Sequence, residues 1–466
     1  MNALPEHSPA DVAAMAEAAR LAFAHLARAP AAQRTQLLRK LAEAIEALGE
    51  PLIDTVCEES ALPRARVQGE RARTTAQLRM FADLAAADAW RDVRVDAGDA
   101  TRVPLPRPAI RSEKRPIGPV AVFGASNFPL AFSIAGGDSA AALAVGCPVL
   151  AKAHPAHPRT CALIAAAIRA AVHECGLPAG VFQVYFEAGH AAGQALVAHP
   201  AIKAGAFTGS RQGGLALWRI AQQRPDPIPF FAEMSSINPV FITPAAASAQ
   251  AEALAAGLAN SMCLGVGQFC TQPGLIVCVR DSAGALREAL SARIAATPAG
   301  DMLTESMAAA YRTAVAQREA TPGIAVCARG LAAQTPRQAQ AVLHSGNLEE
   351  FLRHADWQEE IFGPSSLLLE VEHMADFQRV AAALHGQLTA TLWHQPEERE
   401  ACAELCFVLE QKAGRIVYNG YPTGVEVGPA TVHGGPFPAC TDARFSSVGT
   451  RAIERFLRPV AWQSPP

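Results

Sequence analysis

The chain of 466 residues is poor in charge and in aromatic side chains, and it lacks a long apolar run. Charged residues make up 18% of the sequence, aromatic residues make up 6%, and the formal net charge is −3. Because there is no basic excess to neutralise phosphates, a nucleic-acid partner is not expected. The most apolar stretch, residues 134–151, is interrupted by Asp138 and by glycines, so a membrane span is not expected either.

The cysteines and the first residues of the chain bear on the cellular compartment. The 11 cysteines are an odd number scattered along a long chain, which is not typical of a disulfide scaffold. Residues 1–9 lack the apolar core of a signal peptide. We therefore expect reduced thiols and a cytoplasmic protein.

Several common catalytic motifs are missing. The dinucleotide fingerprint GxGxxG follows none of the predicted strands, and P-loop, HExxH, GxSxG and CxxC motifs are also absent. The segment GVGQFC at 265–270 begins like the fingerprint, but Cys270 occupies the last glycine position. These absences argue against the commonest kinases, zinc peptidases and serine hydrolases. The 13 histidines show no spacing typical of a ligand cluster, so no metal site is predicted.

Alternating apolar runs and alanine-rich segments make up most of the chain. Residues 10–92 are interpreted as successive helices, and residues 96–119, rich in proline, as extended arms. Strands are predicted at 118–124, 148–152, 181–185 and 204–208, with helices at 131–145, 161–174, 191–198 and 211–221. The alternation recurs over residues 236–430, and residues 446–460 are interpreted as a tail. This pattern predicts an α/β protein with parallel sheets that are covered on both faces.

Five polar residues occupy unusual places in this pattern. Asn127 follows a strand in SNFP, Lys152 closes the next strand, Glu233 lies in FFAEMSS, Cys270 lies in GQFC, and Glu360 lies in EEIFGP. Each has an ordinary explanation when it is taken alone. An asparagine after a strand is usually a turn residue, a strand-end lysine is usually a surface charge, and one cysteine among 11 is usually inert.

Taken together with FTGS at 207–210, these blocks resemble the aldehyde dehydrogenase superfamily over roughly residues 10–459. The intervals also fit, with 25 residues from Asn127 to Lys152, 81 more to Glu233 and 37 more to Cys270. The resemblance implies a Rossmann-type cofactor domain (1–96 and 116–235), a catalytic domain (236–430) and a small β bridging element (97–115 and 431–466). It further implies that the bridging elements pair between subunits, in a homodimer or a homotetramer.

The resemblance also implies a chemical role for three residues. The thiolate of Cys270 attacks the aldehyde, giving a thiohemiacetal and, after hydride transfer to a nicotinamide, a thioester. The Asn127 amide and the Cys270 backbone N–H stabilise the oxyanion, and Glu233 activates the water that hydrolyses the thioester. Because CoA-acylating relatives usually lack that glutamate, Glu233 favours hydrolysis to a carboxylic acid.

By the same resemblance, a set of residues surrounds the cofactor: Lys152, His154, Gly189, Gly193, Gly209, Ser210, Glu360 and Phe362. The lysine approaches the adenosine ribose, and the serine approaches the pyrophosphate at a helix N-terminus. The glutamate holds the nicotinamide ribose, and the phenylalanine packs beside the nicotinamide.

The choice between NAD and NADP depends on charge near Lys152. NAD-selective relatives often carry a glutamate three residues after this lysine, where the present chain has Pro155. Nothing acidic is evident nearby, and the loops carry His154, His157, Arg159 and His190. We therefore expect NADP, or the use of both cofactors, with strict NAD as the alternative.

Within the superfamily the chain looks most like the α-ketoglutaric semialdehyde (2,5-dioxovalerate) dehydrogenases. The segments concerned are QGERARTT (68–75), VFGASNFP (122–129), KAHPAHP (152–158) and VHGGPFP (432–438). The substrate carries a carboxylate, and we expect Arg73 to bind it, with Phe128 and His433 also on the substrate side. A surface role for Arg73 and a structural hydrogen bond for His433 are the competing interpretations. A broad aliphatic aldehyde dehydrogenase and a catalytically silent scaffold of this fold are the alternative functions.

Overall fold

The computed structural model describes residues 6–464, and the outermost residues of the predicted domain ranges, 1–5 and 465–466, lie outside them. The helices are α1 (Pro9–Leu26), α2 (Ala31–Ala47), α3 (Gly49–Ser60), α4 (Arg64–Ala87), α5 (Gly137–Val145), α6 (Pro158–Glu174), α7 (Ala191–Ala198), α8 (Arg211–Gln223), α9 (Pro244–Cys263), α10 (Arg280–Ala295), α11 (Glu305–Ala320), α12 (Leu348–Arg353), α13 (Asp376–Ala383) and α14 (Ala403–Glu410). No helix in this described part of the chain is long and apolar enough to cross a membrane.

Most strands are shorter than the helices, and most are followed by a helix. They are β1 (Arg94–Asp96), β2 (Ile110–Pro116), β3 (Val120–Phe123), β4 (Val149–Ala153), β5 (Phe182–Phe186), β6 (Ala204–Thr208), β7 (Phe230–Glu233), β8 (Val240–Ile242), β9 (Leu275–Val279), β10 (Gly300–Asp301), β11 (Ala325–Arg329), β12 (Gln338–Ala339), β13 (Val342–Asn347), β14 (Ser365–Val371), β15 (Gln387–Trp393), β16 (Ala413–Tyr418) and β17 (Leu457–Gln463).

The first large sheet has five parallel strands in the order β5-β4-β3-β6-β7. Every residue of β3 is buried, and its side chains alternate between two apolar layers. Val120 and Val122 pack in the layer formed with α2 to α6, whereas Ala121 and Phe123 pack in the layer formed with α1 and α7. Helices therefore cover both faces, which explains why the strand is apolar without alternation.

The strand order of this sheet determines where a ligand can bind. The chain proceeds from β3 outward to β5 and then returns to β6 on the other side of β3. The loops that follow β3 and β6 leave in opposite directions, which opens a crevice at the carboxyl ends of these two strands. Asn127 lies in the loop after β3, and Ser210 lies directly after β6.

The second large sheet has seven strands in the order β11-β13-β14-β9-β8-β15-β16. Its strands are parallel except for the pair β11 and β13. Side chains again alternate between layers, with Phe241 on one side and Val240 and Ile242 on the other. The two large sheets fall within the predicted ranges 116–235 and 236–430, although the domain boundaries themselves stay a prediction.

A three-stranded antiparallel sheet, β1-β2-β17, joins the extended arms to the end of the chain. β17 pairs with β2 in continuous register, from Leu457 opposite Pro116 to Gln463 opposite Ile110. The stretch 446–460, predicted to be a tail, is therefore partly a 3₁₀ helix (Thr450–Phe456) and partly this strand. The prediction failed because the partner strand lies more than 300 residues away in the sequence.

The helix predicted over residues 131–145 begins only at Gly137. The preceding residues form turns, in which the Gly136 N–H donates to Ser133 O at 2.9 Å and the Gly137 N–H donates to Ala131 O at 3.1 Å. A Cβ at Gly136 would come within 2.4 Å of Ala131 O, so glycine permits this close approach. Alanine richness correctly predicted the helix but could not indicate its first residue.

Candidate active site

A cavity of about 710 Å³ opens at the carboxyl ends of β3 and β6. Ten residues of the predicted site line it: Asn127, Lys152, His154, Gly193, Gly209, Ser210, Glu233, Cys270, Glu360 and Phe362. Its volume is within the range of small-molecule and cofactor sites. Four other predicted residues, Arg73, Phe128, Gly189 and His433, lie outside this lining and are described below.

Cys270 follows a 3₁₀ turn at Leu264–Gly267. Gly265 and Gly267 have φ angles of 57° and 67°, a region that favours glycine. A Cβ at Gly267 would lie 2.2 Å from the carbonyl carbon of Gly363, so this turn packs tightly against the loop that carries Phe362. Val266 between the two glycines has a φ of 58°, an uncommon value for a β-branched residue, so all three residues form a left-handed turn before the cysteine.

The side chains of Cys270, His433 and Glu233 come from distant parts of the sequence and lie together in a row. His433 Nε2 lies 3.4 Å from Cys270 Sγ and 2.9 Å from Glu233 Oε1. The imidazole and the carboxylate are 1% and 4% exposed. Glu233 Oε2 accepts a hydrogen bond of 2.5 Å from the Ser447 hydroxyl, whereas Oε1 accepts none of good alignment. The contact between His433 and Glu233 is therefore an ion pair rather than an aligned hydrogen bond.

The ionisation of these groups follows from their surroundings. Burial disfavours a charged imidazole, but Glu233 and Cys270 outweigh burial and raise the pKa of His433 to about 10. Burial acts to raise the pKa of Glu233, but His433 and the Ser447 hydroxyl lower it below its usual value. Near neutral pH the pair is therefore an imidazolium and a carboxylate, and the imidazolium faces the sulfur.

The same three residues offer one sulfur, one nitrogen and one oxygen atom within 4.8 Å of one another. Such donors hold metal ions in many proteins, although their spacing in the sequence gave no hint of this. An imidazolium, however, has no lone pair for a metal, and the raised pKa of His433 favours that form. The arrangement therefore favours an ion pair, and the absence of a metal stays a prediction.

Asn127 is buried, and its side chain points at the residues before Cys270. Its Nδ2 donates to Gln268 O at 2.9 Å. An amide nitrogen carries two hydrogens, so this bond leaves one for another acceptor. Asn127, Cys270 and Glu233 all line the cavity, so an oxygen of a bound ligand can receive the remaining hydrogen.

Two charged residues of α4 hold the loop of Asn127 in place. Arg66 donates to the Asn127 carbonyl oxygen at 2.8 Å. Glu70 is buried, and its Oε1 accepts the N–H groups of Leu130 and Ala131 at 2.8 and 3.0 Å. Sequence reasoning missed both roles. The clustering of charges within QGERARTT was the available signal, but only the packing of α4 against the loop reveals their partners.

Arg73 also lies on α4, next to a group of aromatic rings. Its guanidinium carbon is 5.5 Å from the Phe132 ring centroid and 6.0 Å from that of Phe128. Phe128 in turn contacts Phe132 and Phe269 edge to face, at 5.2 and 5.5 Å. Nε and Nη2 of Arg73 are buried and have no hydrogen-bond partner among the described residues. Buried donors without a partner carry a free-energy cost, which pairing with an anion would remove.

At the other end of the cavity, Lys152 is held by two acceptors. Its Nζ donates to Gly189 O at 2.7 Å and lies 3.3 Å from Glu187 Oε2. Glu187 also accepts the N–H groups of Ala192 and Gly193 at 2.6 and 3.0 Å. Sequence analysis did not single out Glu187. Its position directly after β5, at the carboxyl edge of the sheet, was the signal that could have found it.

Helix α8 begins beside the middle of the cavity. Ser210 caps it by accepting the Gly213 N–H at 3.2 Å, and Gly209 precedes the cap. The N–H groups of the first turn face a place where a pyrophosphate can bind. Arg211 on this turn pairs with Glu359 at 2.8 Å and so connects the helix to the next segment of the wall.

Glu360 and Phe362 lie in that segment, after a 3₁₀ turn at Ala355–Gln358. Both are partly buried and line the cavity. Burial raises the pKa of Glu360 to about 8, despite hydrogen bonds from Ser235 and from the Ser236 backbone. A hydroxyl group that donates a hydrogen bond to the ionised carboxylate would lower this pKa again, because it stabilises the charged form.

A cavity at the switch point of a parallel sheet, lined by a cysteine, is the arrangement expected of a dinucleotide-dependent oxidoreductase. The chain belongs to the aldehyde dehydrogenase family, whose profile matches residues 1–436. It is 49% identical over 458 residues to alpha-ketoglutaric semialdehyde dehydrogenase 2 of Azospirillum brasilense, covering 98% of this chain and 87% of that protein. It is 44% identical over 453 residues to alpha-ketoglutaric semialdehyde dehydrogenase of Acinetobacter baylyi, covering 96% and 85%.

Solved structures share the fold at lower identity. PnpE in complex with nicotinamide adenine dinucleotide has a TM-score of 0.82 at 23% identity, covering 98% of this chain and 90% of that one. GapN of Methanocaldococcus jannaschii, complexed with NADP, has a TM-score of 0.81 at 16% identity, covering 99% and 95%. The predicted family, its α/β fold and the class of NAD(P)-dependent aldehyde dehydrogenase are confirmed.

Proposed function

We propose that the protein oxidises 2,5-dioxovalerate (α-ketoglutaric semialdehyde) to 2-oxoglutarate with NAD(P) and water. The observation that carries this substrate is the buried, unpartnered Nε and Nη2 of Arg73. A chain of contacts leads from this guanidinium to the reacting sulfur. Arg73 lies over Phe132, whose ring centroid is 6.4 Å from that of His433, and His433 contacts Cys270. The substrate names of the two similar relatives support the same choice.

A nicotinamide dinucleotide fits the residues of the cavity. Lys152 and Gly193 are at the end suited to the adenosine ribose, Ser210 with the first turn of α8 is at the middle, and Glu360 with Phe362 is near Cys270. When bound, the nicotinamide accepts the hydride that converts the thiohemiacetal into a thioester. His154 and the Gly189 and Gly209 loops complete the proposed cofactor set.

Cys270 acts as the nucleophile in the proposed reaction. Its sulfur forms a bond to the aldehyde carbon, and the carbonyl oxygen becomes an oxyanion. His433 Nε2 lies 3.4 Å from this sulfur, close enough to donate a hydrogen bond to it. The free hydrogen of Asn127 Nδ2, together with the Cys270 backbone N–H, donates to the oxyanion.

Glu233 acts in the second half of the reaction. As a carboxylate of lowered pKa, it takes a proton from the water that attacks the thioester carbon. The bond from carbon to sulfur then breaks, the acid is released, and Cys270 leaves as a thiolate beside the imidazolium of His433. In this reaction His433 therefore contacts the reacting sulfur in addition to lying beside the substrate.

A broad aliphatic aldehyde dehydrogenase is the second candidate. The rings of Phe128, Phe132 and Phe269 pack together and offer an apolar surface to a hydrocarbon chain. An alkyl aldehyde would contact this surface and would leave Arg73 without a partner. Arg73 is therefore needed for the acidic aldehyde but not for the alkyl aldehyde.

Steady-state kinetics with 2,5-dioxovalerate and with hexanal distinguish the two candidates. Arg73→Ala should lower kcat/KM for the acidic aldehyde by about tenfold to a hundredfold and leave hexanal nearly unchanged, because only the acid needs the guanidinium. Arg79→Ala is the matched control, since Arg79 lies on the same helix, is 45% exposed and pairs with Glu46. Equal losses for both substrates would exclude a carboxylate-binding role.

We also propose a homodimer or homotetramer that forms through the three-stranded sheet. Val95, Val103 and Leu105 beside β1 and β2 are 69%, 86% and 69% exposed, an unusual concentration of apolar surface. Sedimentation equilibrium should give a dimer or tetramer for the wild type and smaller species for Val103→Asp. A monomeric wild type would exclude the assembly.

A further inference from the structure

Glu187 is a buried carboxylate that the proposed reaction does not use. It follows β5 and is 6% exposed, and it contacts the cavity residue Lys152 at 3.3 Å. Its oxygens accept the N–H groups of Ala192 and Gly193 from the first turn of α7. These two N–H groups could otherwise donate hydrogen bonds to an anion near the adenosine. The protein therefore occupies its own anion-binding site with the Glu187 carboxylate.

The pairing with Glu187 changes what Lys152 offers a ligand. One hydrogen of the ammonium donates to Gly189 O, and the carboxylate of Glu187 balances its charge. A neutral ribose hydroxyl can still accept from the ammonium, since an Nζ group has three hydrogens. A phosphate on that ribose would instead meet a lysine whose charge is already compensated.

Two of the other basic residues that favoured NADP in the sequence, Arg159 and His157, are also engaged. Arg159 pairs with Glu58 at 3.0 Å and with Glu59 at 3.5 Å. His157 is fully buried, and its two ring nitrogens contact Ala125 O and Cys161 Sγ, each at 3.3 Å. Neither side chain lines the cavity, and each already has partners of its own.

The two remaining histidines differ from each other. His154 lines the cavity, but burial, with His157 and Lys152 beside it, lowers its pKa to about 3, so it is neutral. His190, exposed at the start of α7, also lines the cavity and has no side-chain partner among the described residues, so it is the one basic side chain of the four that can still face a ligand here. On the acidic side, Glu6 accepts the Ala188 N–H at 3.2 Å, which adds a second carboxylate to this end of the cavity.

We propose that Glu187 is a specificity-determining residue that acts through Lys152 and makes the enzyme select NAD over NADP. This inference rests on the proposed cofactor site, and it reverses the cofactor expected from the sequence. The 2′-phosphate of NADP would bring its negative charge beside the carboxylates of Glu187 and Glu6, whereas the 2′-hydroxyl of NAD meets no such repulsion.

Equilibrium binding of NADH and NADPH, followed by nicotinamide fluorescence, tests the inference without any aldehyde. The wild type should bind NADH more tightly than NADPH. Glu187→Gln keeps the shape of the side chain and removes its charge, so the ratio of the two Kd values should move toward NADPH by about tenfold or more. Glu187→Asp should restore the preference for NADH. In kinetics with NADP the same change should appear in KM rather than in kcat.

Glu174→Gln serves as the matched control, because Glu174 at the end of α6 is 59% exposed and lies outside the cavity. Thermal unfolding of each variant reports any loss of structure separately from selectivity. A wild type that binds NADPH more tightly, or a Glu187→Gln variant with an unchanged ratio, would overturn the inference. Because no aldehyde is used, failure of the proposed substrate would leave this result intact.

Discussion

His433 Nε2 lies 2.9 Å from Glu233 Oε1, and both side chains are almost fully buried. The two residues are 200 positions apart in the sequence. Glu233 is the proposed base of the second step, and His433 faces the sulfur of Cys270. The stability of the protein and the proposed reaction therefore depend on the same pair.

The stability that His433 contributes should depend on pH. Its pKa rises from 6.5 to about 10 on folding, so the imidazolium stabilises the fold fully below pH 6.5, and this stabilisation is lost as the pH rises toward 10. The lowered pKa of Glu233 gives the opposite dependence, with stabilisation present above its ordinary value of 4.5 and lost on acidification.

Replacing His433 by asparagine therefore gives a specific expectation. The variant should lose about 3–5 kcal/mol of unfolding free energy near pH 6, because it leaves Glu233 buried without its ion-pair partner. The loss should shrink steadily toward pH 10, where the wild-type imidazole is also losing its proton. Urea unfolding at several pH values measures this difference. A loss that does not vary with pH would mean that His433 is a neutral hydrogen-bonding residue.

Glu233→Gln should separate the two halves of the reaction. The thiol can still attack and the hydride can still leave, but the thioester lacks a base to activate water. We expect a burst of NADH equal to one turnover per site, followed by a steady rate lowered by about 10²–10⁴. Rapid mixing with absorbance detection measures both phases. If the burst disappears along with the steady rate, Glu233 acts before the thioester forms.

Asn127→Ala should lower kcat by about 10²–10³, because it removes one positioned donor to the oxyanion. Binding of NADH, measured by fluorescence, should change little. Asn347→Ala is the control, since Asn347 caps α12 by accepting the Glu350 N–H at 3.0 Å, away from the cavity. That control should cost about 0.5–2 kcal/mol of stability and no activity. Equal kcat values for wild type and Asn127→Ala would remove Asn127 from the mechanism.

Arg455 and Asp138 form a buried ion pair of 2.7 Å between the 3₁₀ helix near the end of the chain and α5. Asp138→Asn should lower the unfolding free energy by about 3–5 kcal/mol, because it leaves Arg455 charged and buried. Glu454→Gln breaks the more exposed contact with Lys114 and should cost about 1 kcal/mol or less. Chemical unfolding of the two variants compares them directly, and similar losses would contradict this assignment.

Much of the fold followed from local patterns. The strand over 204–208 and the helix over 191–198 agree with the structure residue for residue, because each is bounded by clear turn signals. The start of α5 was missed because its first turn depends on a close approach between Gly136 and Ala131. β17 was missed because an exposed edge strand has little apolar pattern of its own and owes its form to β2.

Some residues of the candidate site could likewise be predicted from the sequence, and others could not. Cys270, Glu233 and Asn127 stand in short segments with recognisable neighbours, so they could be chosen before the structure was seen, and all three line one cavity. The engagement of Arg159 and His157 was not visible, since their partners Glu58, Glu59 and Ala125 come from other elements. A list of basic residues in a sequence therefore says little about the charge that a ligand meets.

The sequence by itself determined the family and the alternation of strands and helices over most of the chain, and it singled out Cys270 as the predicted nucleophile, because these depend on residue type and on short-range spacing. The tertiary structure alone decided which charges meet. It brings His433 to Cys270 across 163 residues and sets Glu187 against Lys152. The physical reason is that a contact between side chains depends on strand order and loop geometry, while its strength depends on burial, and a linear sequence contains neither of these directly.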